Sequence, residues 1–548
     1  MKDEKLLTGL PQSKLQFHAA NVKKIPEMRF IPVFAGQPPG DLAKFLELPD
    51  LETKIQTANR SGLFTGKMNE YLSLISEGVI LGGLGQKENF HPDRLATLMR
   101  SFGARVLSLK VSEVHVVISD EIATVVENFA QLTSEPGQSG FHPVPSTDSA
   151  DEEEVAPDYF APVDLFEIIS QSVTNLMIGA DSQAILKTKK KEKTKEKEEK
   201  NIGILCSLSI RDTTAAVERG YTVGRFLNGA RTLSSLPGNF MNPEQFEDYA
   251  KKISREFGLK CKVFDAKKLE SMGCGGILSV GRGSTVPPRM LVIEYRPSRT
   301  TSNEKVALIG KGITFDTGGI SLKPPSEMHE MKYDMSGASL VLHSLALASC
   351  RRLPVEVTGF IGLAENMPDG NAIKPGDVYR AYNGVTVEVQ NTDAEGRLVL
   401  GDLLSYASQE YKPKIMIDFA TLTGACVVAL GHEASAIMTA SDELATKLDQ
   451  ASRKSLDRMW RMPHWFHYGM GLKSDISDIR NVAGREGGTL IAYRFLSSFV
   501  DRKIKWAHID IAGSAYRSKG TGGQSKGATG WGIRMIHQFL EDTGIVRG

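Results

Sequence analysis

The chain has 548 residues, with 66 Lys+Arg against 65 Asp+Glu, 41% hydrophobic and 24% charged residues. That length suits three or four domain-sized units or two large α/β ones. The near-zero net charge argues against an obligate nucleic-acid binder or a membrane-surface protein, and the ordinary apolar content excludes collagen-like, fully disordered and integral-membrane classes.

In chain order, residues 28–36 (MRFIPVFAG), 78–84 (GVILGGL), 105–111 (RVLSLKV) and 114–118 (VHVVI) read as short strands. Residues 92–102 have helical spacing, with Pro92 suited to a first turn, and 120–132 repeat it through Ile122, Val125, Val126 and Phe129. This alternation predicts a smaller N-terminal α/β domain over 1–210, in which no chemical motif is visible. Residues 133–157, with Pro136, Gly137, Pro143, Pro145 and the acidic run Asp151 to Glu154, read as a solvated loop. Residues 187–200 (KTKKKEKTKEKEEK) read as a solvated insert, because the interleaved glutamates cancel most of the lysine field. A strand is expected at 202–210, and a helix over 211–234 is expected to join the two domains.

From about 235 onward apolar strand candidates alternate with amphipathic helices. The strands are 290–295, 305–310, 355–362, 385–390, 414–420 and 507–511; the helices are 243–257, 336–349, 397–410, 442–458, 488–501 and 531–541. This predicts a larger C-terminal α/β catalytic domain over 235–548 with a mixed, largely buried sheet. The five cysteines, Cys206, Cys261, Cys274, Cys350 and Cys426, form no CxxC pair, so neither a disulfide framework nor a thiolate zinc site is expected. With no signal-like apolar core and no run of about 18 apolar residues, the expectation is a soluble cytoplasmic protein.

Chemistry gathers in three segments. In Asn391 to Leu400 (NTDAEGRLVL), Asp393 and Glu395 point the same way if the start is extended, with the cation Arg397 beside them. A helix N-terminus collecting acids for its dipole accounts equally well for that pair alone. In Ile309 to Lys323 (IGKGITFDTGGISLK), Lys311 lies in an apolar run, and Asp316 precedes a Gly-Gly turn where the backbone must come close to something. In Met331 to Ser339 (MKYDMSGAS), Asp334 precedes small residues that let a helix start close by. Each acid alone reads as a cap. Together, Asp316, Asp334, Asp393 and Glu395 make a carboxylate-rich set that two divalent cations would neutralise, and Lys311 could join them only as the free amine. None of the eleven histidines lies in these segments, so a histidine zinc site or a Ser-His-Asp triad has little support.

These three strings resemble the signature segments of the leucyl aminopeptidase (cytosol aminopeptidase) family. The similarity continues through GGILSVGRGSTVPP (275–288), FATLTGA (419–425), WRMP (460–463), WAHIDIAG (506–513) and KGATGWGIRMIHQFL (526–540), covering roughly 230–548. The resemblance implies a two-metal exopeptidase with peptides as partners, typically a homohexamer; the balanced charge leaves neither membrane nor nucleic acid expected. Carried over by position, Lys311, Asp316, Asp334 and Glu395 would hold one metal and Asp316, Asp393 and Glu395 the other. The ions would be zinc, or manganese, magnesium or cobalt. Lys323 and Arg397 match the two catalytic positions, with bicarbonate held by Arg397. Met331, Thr421, Gly424, Ala512 and Ala515 would surround the substrate's first side chain, with Ala515 leaving room for rings and apolar residues preferred. Thr317, Ser336 and Ser339 depart from the usual Ser, Gly and Ala but remove no ligand. Two other readings compete: a two-metal phosphoesterase, which would need no substrate α-amine, and a DNA-binding or structural role on the same fold.

Overall fold

In a computed structural model, the described residues are 10, 13–20, 26–35, 51–74, 78–87, 90, 92–132, 163–183, 185–187, 199–301 and 304–544. The expected loop at 133–157 and most of the expected insert at 187–200 lie outside them. Among the described residues no helix is long and apolar enough to cross a membrane. The chain divides into two compact units, one built on 12–225 and the other on 226–518 and 526–548. It passes from one to the other within the helix Ile210–Ser235.

The first unit is a six-stranded sheet. Its strands are β1 (Leu15–Ala19), β2 (Met28–Val33), β3 (Tyr71–Leu74), β4 (Val79–Gly83), β5 (Glu113–Val117) and β6 (Lys200–Leu205), in the order β1-β6-β5-β2-β4-β3. All neighbours are parallel except β3 and β4. Helices Pro92–Val106 and Leu165–Ala180 place Leu98, Phe102, Ile169 and Val173 in one core with Val114, Val116, Ile202 and Ile204 of the sheet. The strand expected at 105–111 is absent. Residues 105–106 finish a helix whose buried positions Leu95, Leu98, Met99, Phe102 and Val106 keep helical spacing. Leu107, Leu109 and Val111 then pack on the core without pairing, and Lys200 Nζ takes the carbonyls of Leu109 and Val111. The strand expected at 202–210 stops at Leu205, because Ser209 Oγ already caps the next helix through the Asp212 N–H.

The second unit carries β7 (Lys260–Phe264), β8 (Arg289–Tyr295), β9 (Lys305–Asp316), β10 (Glu356–Asn366), β11 (Val378–Arg380), β12 (Thr386–Glu388), β13 (Ile415–Ala420), β14 (Ser435–Thr439), β15 (Met459–Arg461), β16 (Ile479–Arg480) and β17 (Lys505–Asp510). Eight of them form a mixed sheet, β15-β14-β17-β13-β9-β10-β8-β7. Its centre, β17-β13-β9-β10, is parallel, while β14, β8 and β7 run antiparallel to their inner neighbours. The expected strand at 385–390 shrinks to β12, which joins β11 and β16 in a separate small sheet. The small residues before the helix Ser336–Cys350 have a clear physical role. A Cβ on Gly337 would lie 2.1 Å from the Phe419 carbonyl oxygen, and one on Gly310 would lie 2.6 Å from the Gly337 carbonyl oxygen. Only glycine lets this helix start against β9 and β13. Gly337→Ala should therefore lower the unfolding free energy by about 1–3 kcal/mol. The readout is a lower denaturant midpoint at unchanged m-value, and a wild-type midpoint would contradict this account.

Candidate active site

The four parallel central strands end on the same side, the usual place for a ligand in an α/β sheet. β9 supplies Lys311 within its length and Asp316 at its end, β10 ends on Asn366, and Thr421 and Ala512 follow β13 and β17. The turn Met328–Met335 adds Met331 and Asp334. The segment before the helix Gly396–Tyr406 adds Asp393 and Glu395.

After Asp316 the chain turns sharply through Gly318 (φ +88°) and Gly319 (φ +66°), the left-handed region that glycine enters without strain. The Gly318 N–H donates to Asp316 Oδ1 at 2.9 Å, and Asn366 Nδ2 donates to the same oxygen at 2.8 Å. Asn366 Nδ2 also reaches the Thr392 carbonyl at 3.0 Å, tying the two acidic segments together. The stretch 391–395 is a turn and not an extended strand end. Asp393 N–H donates to Asn391 Oδ1 at 2.8 Å, and Glu395 already has helical angles (φ −73°, ψ −38°). Asp393 and Glu395 thus meet by turning, not by the period-two alternation of a strand. A Cβ on Gly396 would lie 2.6 Å from Lys311 Cε, so glycine after Glu395 is what lets the lysine pass.

The two lysines interlock the acids. Lys311, 2% exposed, places Nζ 2.8 Å from Asp334 Oδ1 and 2.8 Å from Glu395 Oε1 and donates to the Thr421 carbonyl at 2.9 Å. Lys323 Nζ lies 2.8 Å from Asp316 Oδ2 and 2.5 Å from Asp393 Oδ1. Burial pushes the Asp316 carboxyl up, with the Glu395 charge adding and both lysines opposing. Burial holds Asp334 well above the usual carboxylate range, against Lys311. Asp393 is raised by burial and by Asp316. Burial alone would depress Lys311, but Asp334, Glu395 and Asp316 outweigh it and keep the ammonium charged. Lys323 is raised in the same way: burial is outweighed by Asp316, Glu395 and Asp393.

These side chains open on a cavity of about 210 Å³. Ten of the twelve residues singled out from sequence line it: Lys311, Asp316, Lys323, Met331, Asp334, Asp393, Glu395, Thr421, Gly424 and Ala512. Arg397 and Ala515 do not. Arg397 is buried beside Glu395, and its Nη1 donates to the Asn481 carbonyl at 2.8 Å. Burial lowers its pKa to about 10, against Glu395 and Asp510. Ala515, 4% exposed, closes a turn onto Ile511 (N–H to carbonyl, 2.9 Å), and its neighbour Tyr516 reaches the cavity instead. The expectation that Ala515 leaves room for rings has no support in this arrangement. Glu330, Tyr333, Leu422, Thr423 and Val427 also line the cavity and were not foreseen. Nor were the supports Asn366 and Asn481, whose partners lie far away in sequence.

The donor set suits divalent cations. Oxygens of Asp316, Asp393 and Glu395 lie within 4.8 Å of one another. Asp334 Oδ2 is buried, and among the described residues it has no hydrogen-bond partner. Acids this close are stable as anions only with compensating positive charge, and oxygen-rich sets suit hard or borderline ions.

A buried carboxylate-and-lysine centre at the ends of parallel strands is suited to holding divalent cations beside a substrate. Residues 228–537 match the catalytic domain of the cytosol aminopeptidase family, and residues 30–135 match that family's N-terminal domain. A probable cytosol aminopeptidase of Chlorobaculum tepidum is 43% identical over 381 residues, 68% of this chain and 75% of that protein. One of Nitrosospira multiformis is 44% identical over 379 residues, 68% and 72% of the two chains. Among solved structures, the bottromycin maturation enzyme BotP in complex with Mn matches with a TM-score of 0.72 and 28% identity, covering 95% of this chain and 100% of that one. The chain belongs to the cytosol aminopeptidase family, a family of metallo-exopeptidases, and is a metal-dependent aminopeptidase by that membership.

Asn366→Ala removes both bonds that hold Asp316 against the 391–395 turn. It should weaken divalent-metal retention by about 10–100-fold, read by competition with a chromogenic chelator. Wild-type retention would show that Asp316 needs no such support.

Proposed function

We propose that the chain removes apolar N-terminal residues from peptides with the help of two divalent ions. Asp316, Asp334 and Glu395 would hold one ion together with Lys311, whose ammonium would have to give up its proton to the incoming cation, and Asp316, Asp393 and Glu395 would hold the other. The observation that carries this reading is the convergence of these five side chains and Lys323 on one cavity. What such ions supply when bound is water activated near neutral pH and a polarised carbonyl. Zinc is the first candidate, with manganese, magnesium and cobalt as alternatives.

A bound divalent ion with an open coordination position would also take the free α-amine of a peptide's first residue, which an internal bond cannot offer. The protein's own groups account for the rest. Lys323, half-covered beside Asp316 and Asp393, is the cation available to a developing oxyanion. Arg397 would hold a planar anion such as bicarbonate. Its guanidinium is oriented by the Asn481 carbonyl, and its Nε is buried with no hydrogen-bond partner among the described residues. Met331, Leu422, Val427 and Ala512 give the cavity an apolar wall, and Glu330 beside them repels acidic side chains. A homohexamer and a cytoplasmic location belong to the same proposal and rest on family likeness. The exposed Trp465, Phe466 and Met470 are the kind of apolar surface that subunits cover.

Asp316→Ala and Glu395→Ala should each lower aminoacyl-amide hydrolysis on the order of a thousandfold or more and release metal. An active Asp316→Ala protein with two tightly bound ions would reject the ligand assignment. Leu-amide should exceed Asp-amide in kcat/KM by at least about tenfold, since unpaired like charge in a partly buried pocket costs more than about 1.4 kcal/mol. Comparable values for the two substrates would remove Glu330 and the apolar wall from the account.

A further inference from the structure

Among the described residues, one other group has metal-ligating chemistry: His18, Glu113 and His115, in the N-terminal unit. We propose that these three side chains form a separate site for a divalent cation of the zinc class, which staples the edge strand β1 to β5 across β6. The site is distinct from the carboxylate centre: it lies in the other compact unit and uses imidazoles in place of a carboxylate cluster.

Strand register builds the site. In the parallel pair β1–β6, His18 is the partner of Gly203, and in the parallel pair β5–β6, His115 is the partner of the same Gly203. The sequence His–Gly–His therefore runs straight across three neighbouring strands, and residues in one such row share a face of the sheet. Glu113, two residues before His115, falls on that face as well. The glycine between the histidines is needed there. A Cβ at 203 would lie 2.5 Å from His115 Cδ2 and 2.8 Å from its Nε2, so any other residue would displace the ring.

The distances suit a small borderline ion. Glu113 Oε1 lies 3.1 Å from His115 Nε2 and 3.4 Å from His18 Nε2. Two ligand atoms each about 2.0–2.2 Å from a tetrahedral zinc stand about 3.3 Å apart. The imidazole planes are crossed at 75°, with centroids 5.9 Å apart. Two imidazoles and one carboxylate are a recurrent three-ligand zinc set that leaves a fourth position open, and they suit zinc over calcium or magnesium. The His115 side chain is 1% exposed and that of His18 38%, so the inner ligand is fixed and the ion enters from the His18 side. The competing arrangement is ion-free, with both imidazole N–H groups donating to the one carboxylate oxygen.

Zinc stoichiometry separates the two. The full-length protein would be stripped with a chelator, reloaded with zinc to saturation, desalted and analysed for zinc per chain, alongside His18→Ala and Glu113→Gln. His18 is partly exposed, so its removal leaves the core intact, and Glu113→Gln keeps the shape and a neutral oxygen. Each variant should bind one zinc fewer per chain than wild type while hydrolysing aminoacyl amides at the wild-type rate. Equal zinc content in wild type and both variants would overturn the proposal and leave a hydrogen-bonded cluster. Loss of activity together with zinc would overturn it too, because the lost ion would then belong to the catalytic centre.

Discussion

Four carboxylates, Asp316, Asp334, Asp393 and Glu395, share one small and largely buried cavity, and two lysines keep that arrangement compatible with a folded chain. Each lysine joins acids from different segments. Lys311 spans Asp334 and Glu395, and Lys323 spans Asp316 and Asp393. The end of β9, the turn Met328–Met335 and the turn at 391–395 are therefore cross-linked by charge. Removing Lys311 would leave two buried acids uncompensated, and removing Lys323 would leave buried Asp316 and partly buried Asp393 so, a costlier state than the intact pairs. The same balance explains why burial can raise three of the acids while both lysines stay protonated.

The sheet makes this density of charge possible. Parallel strands deliver their ends to one side, so residues from β9, β10, β13 and β17 meet without long loops. The neutral supports are as important as the charged groups. Asn366 binds Asp316 and the Thr392 carbonyl. Asn481, fully buried, accepts the Gln390 N–H, donates to the Asn391 carbonyl and offers its own carbonyl to Arg397. These amides fix turns that have no regular hydrogen-bond ladder, and a turn that carries the proposed ligands has to be rigid to hold them.

Most of the charged lining of the cavity was legible in sequence because it lies in three short contiguous strings, each at the end of a strand or the start of a helix. The mixed buried sheet was legible from its apolar runs. The parts that were not legible have a common cause. Asn366 and Asn481 act on residues 50 and 90 positions away, and nothing in their neighbourhood signals a partner. β1 and β3 are short edge strands with little alternation, and β14 is read only once it is paired with β17. Residues 105–111 alternate like a strand but complete a helix and then pack unpaired, which periodicity over so short a window does not separate. Ala515 lies outside the cavity lining for a local reason: one turn closing on Ile511 brings the next residue, Tyr516, to the cavity.

Glycines inside strands and at helix starts connect the two units as a design. A strand glycine weakens its strand, so it persists where a neighbouring group must come close. In the catalytic unit the groups that come close are a helix N-terminus at Gly310 and Gly337 and the Lys311 side chain at Gly396. Each of these positions is within a few residues of a proposed ligand. In the N-terminal unit, Gly203 occupies the middle of β6 with a histidine partner on either side. Gly82 in β4 provides the contrast: a Cβ there would meet the Phe30 ring and Leu98, both members of the hydrophobic core. One strand glycine accommodates packing and the other accommodates an imidazole. The chemistry of the neighbour, and not the glycine itself, marks the row across β1, β6 and β5 as a place where a ligand can sit.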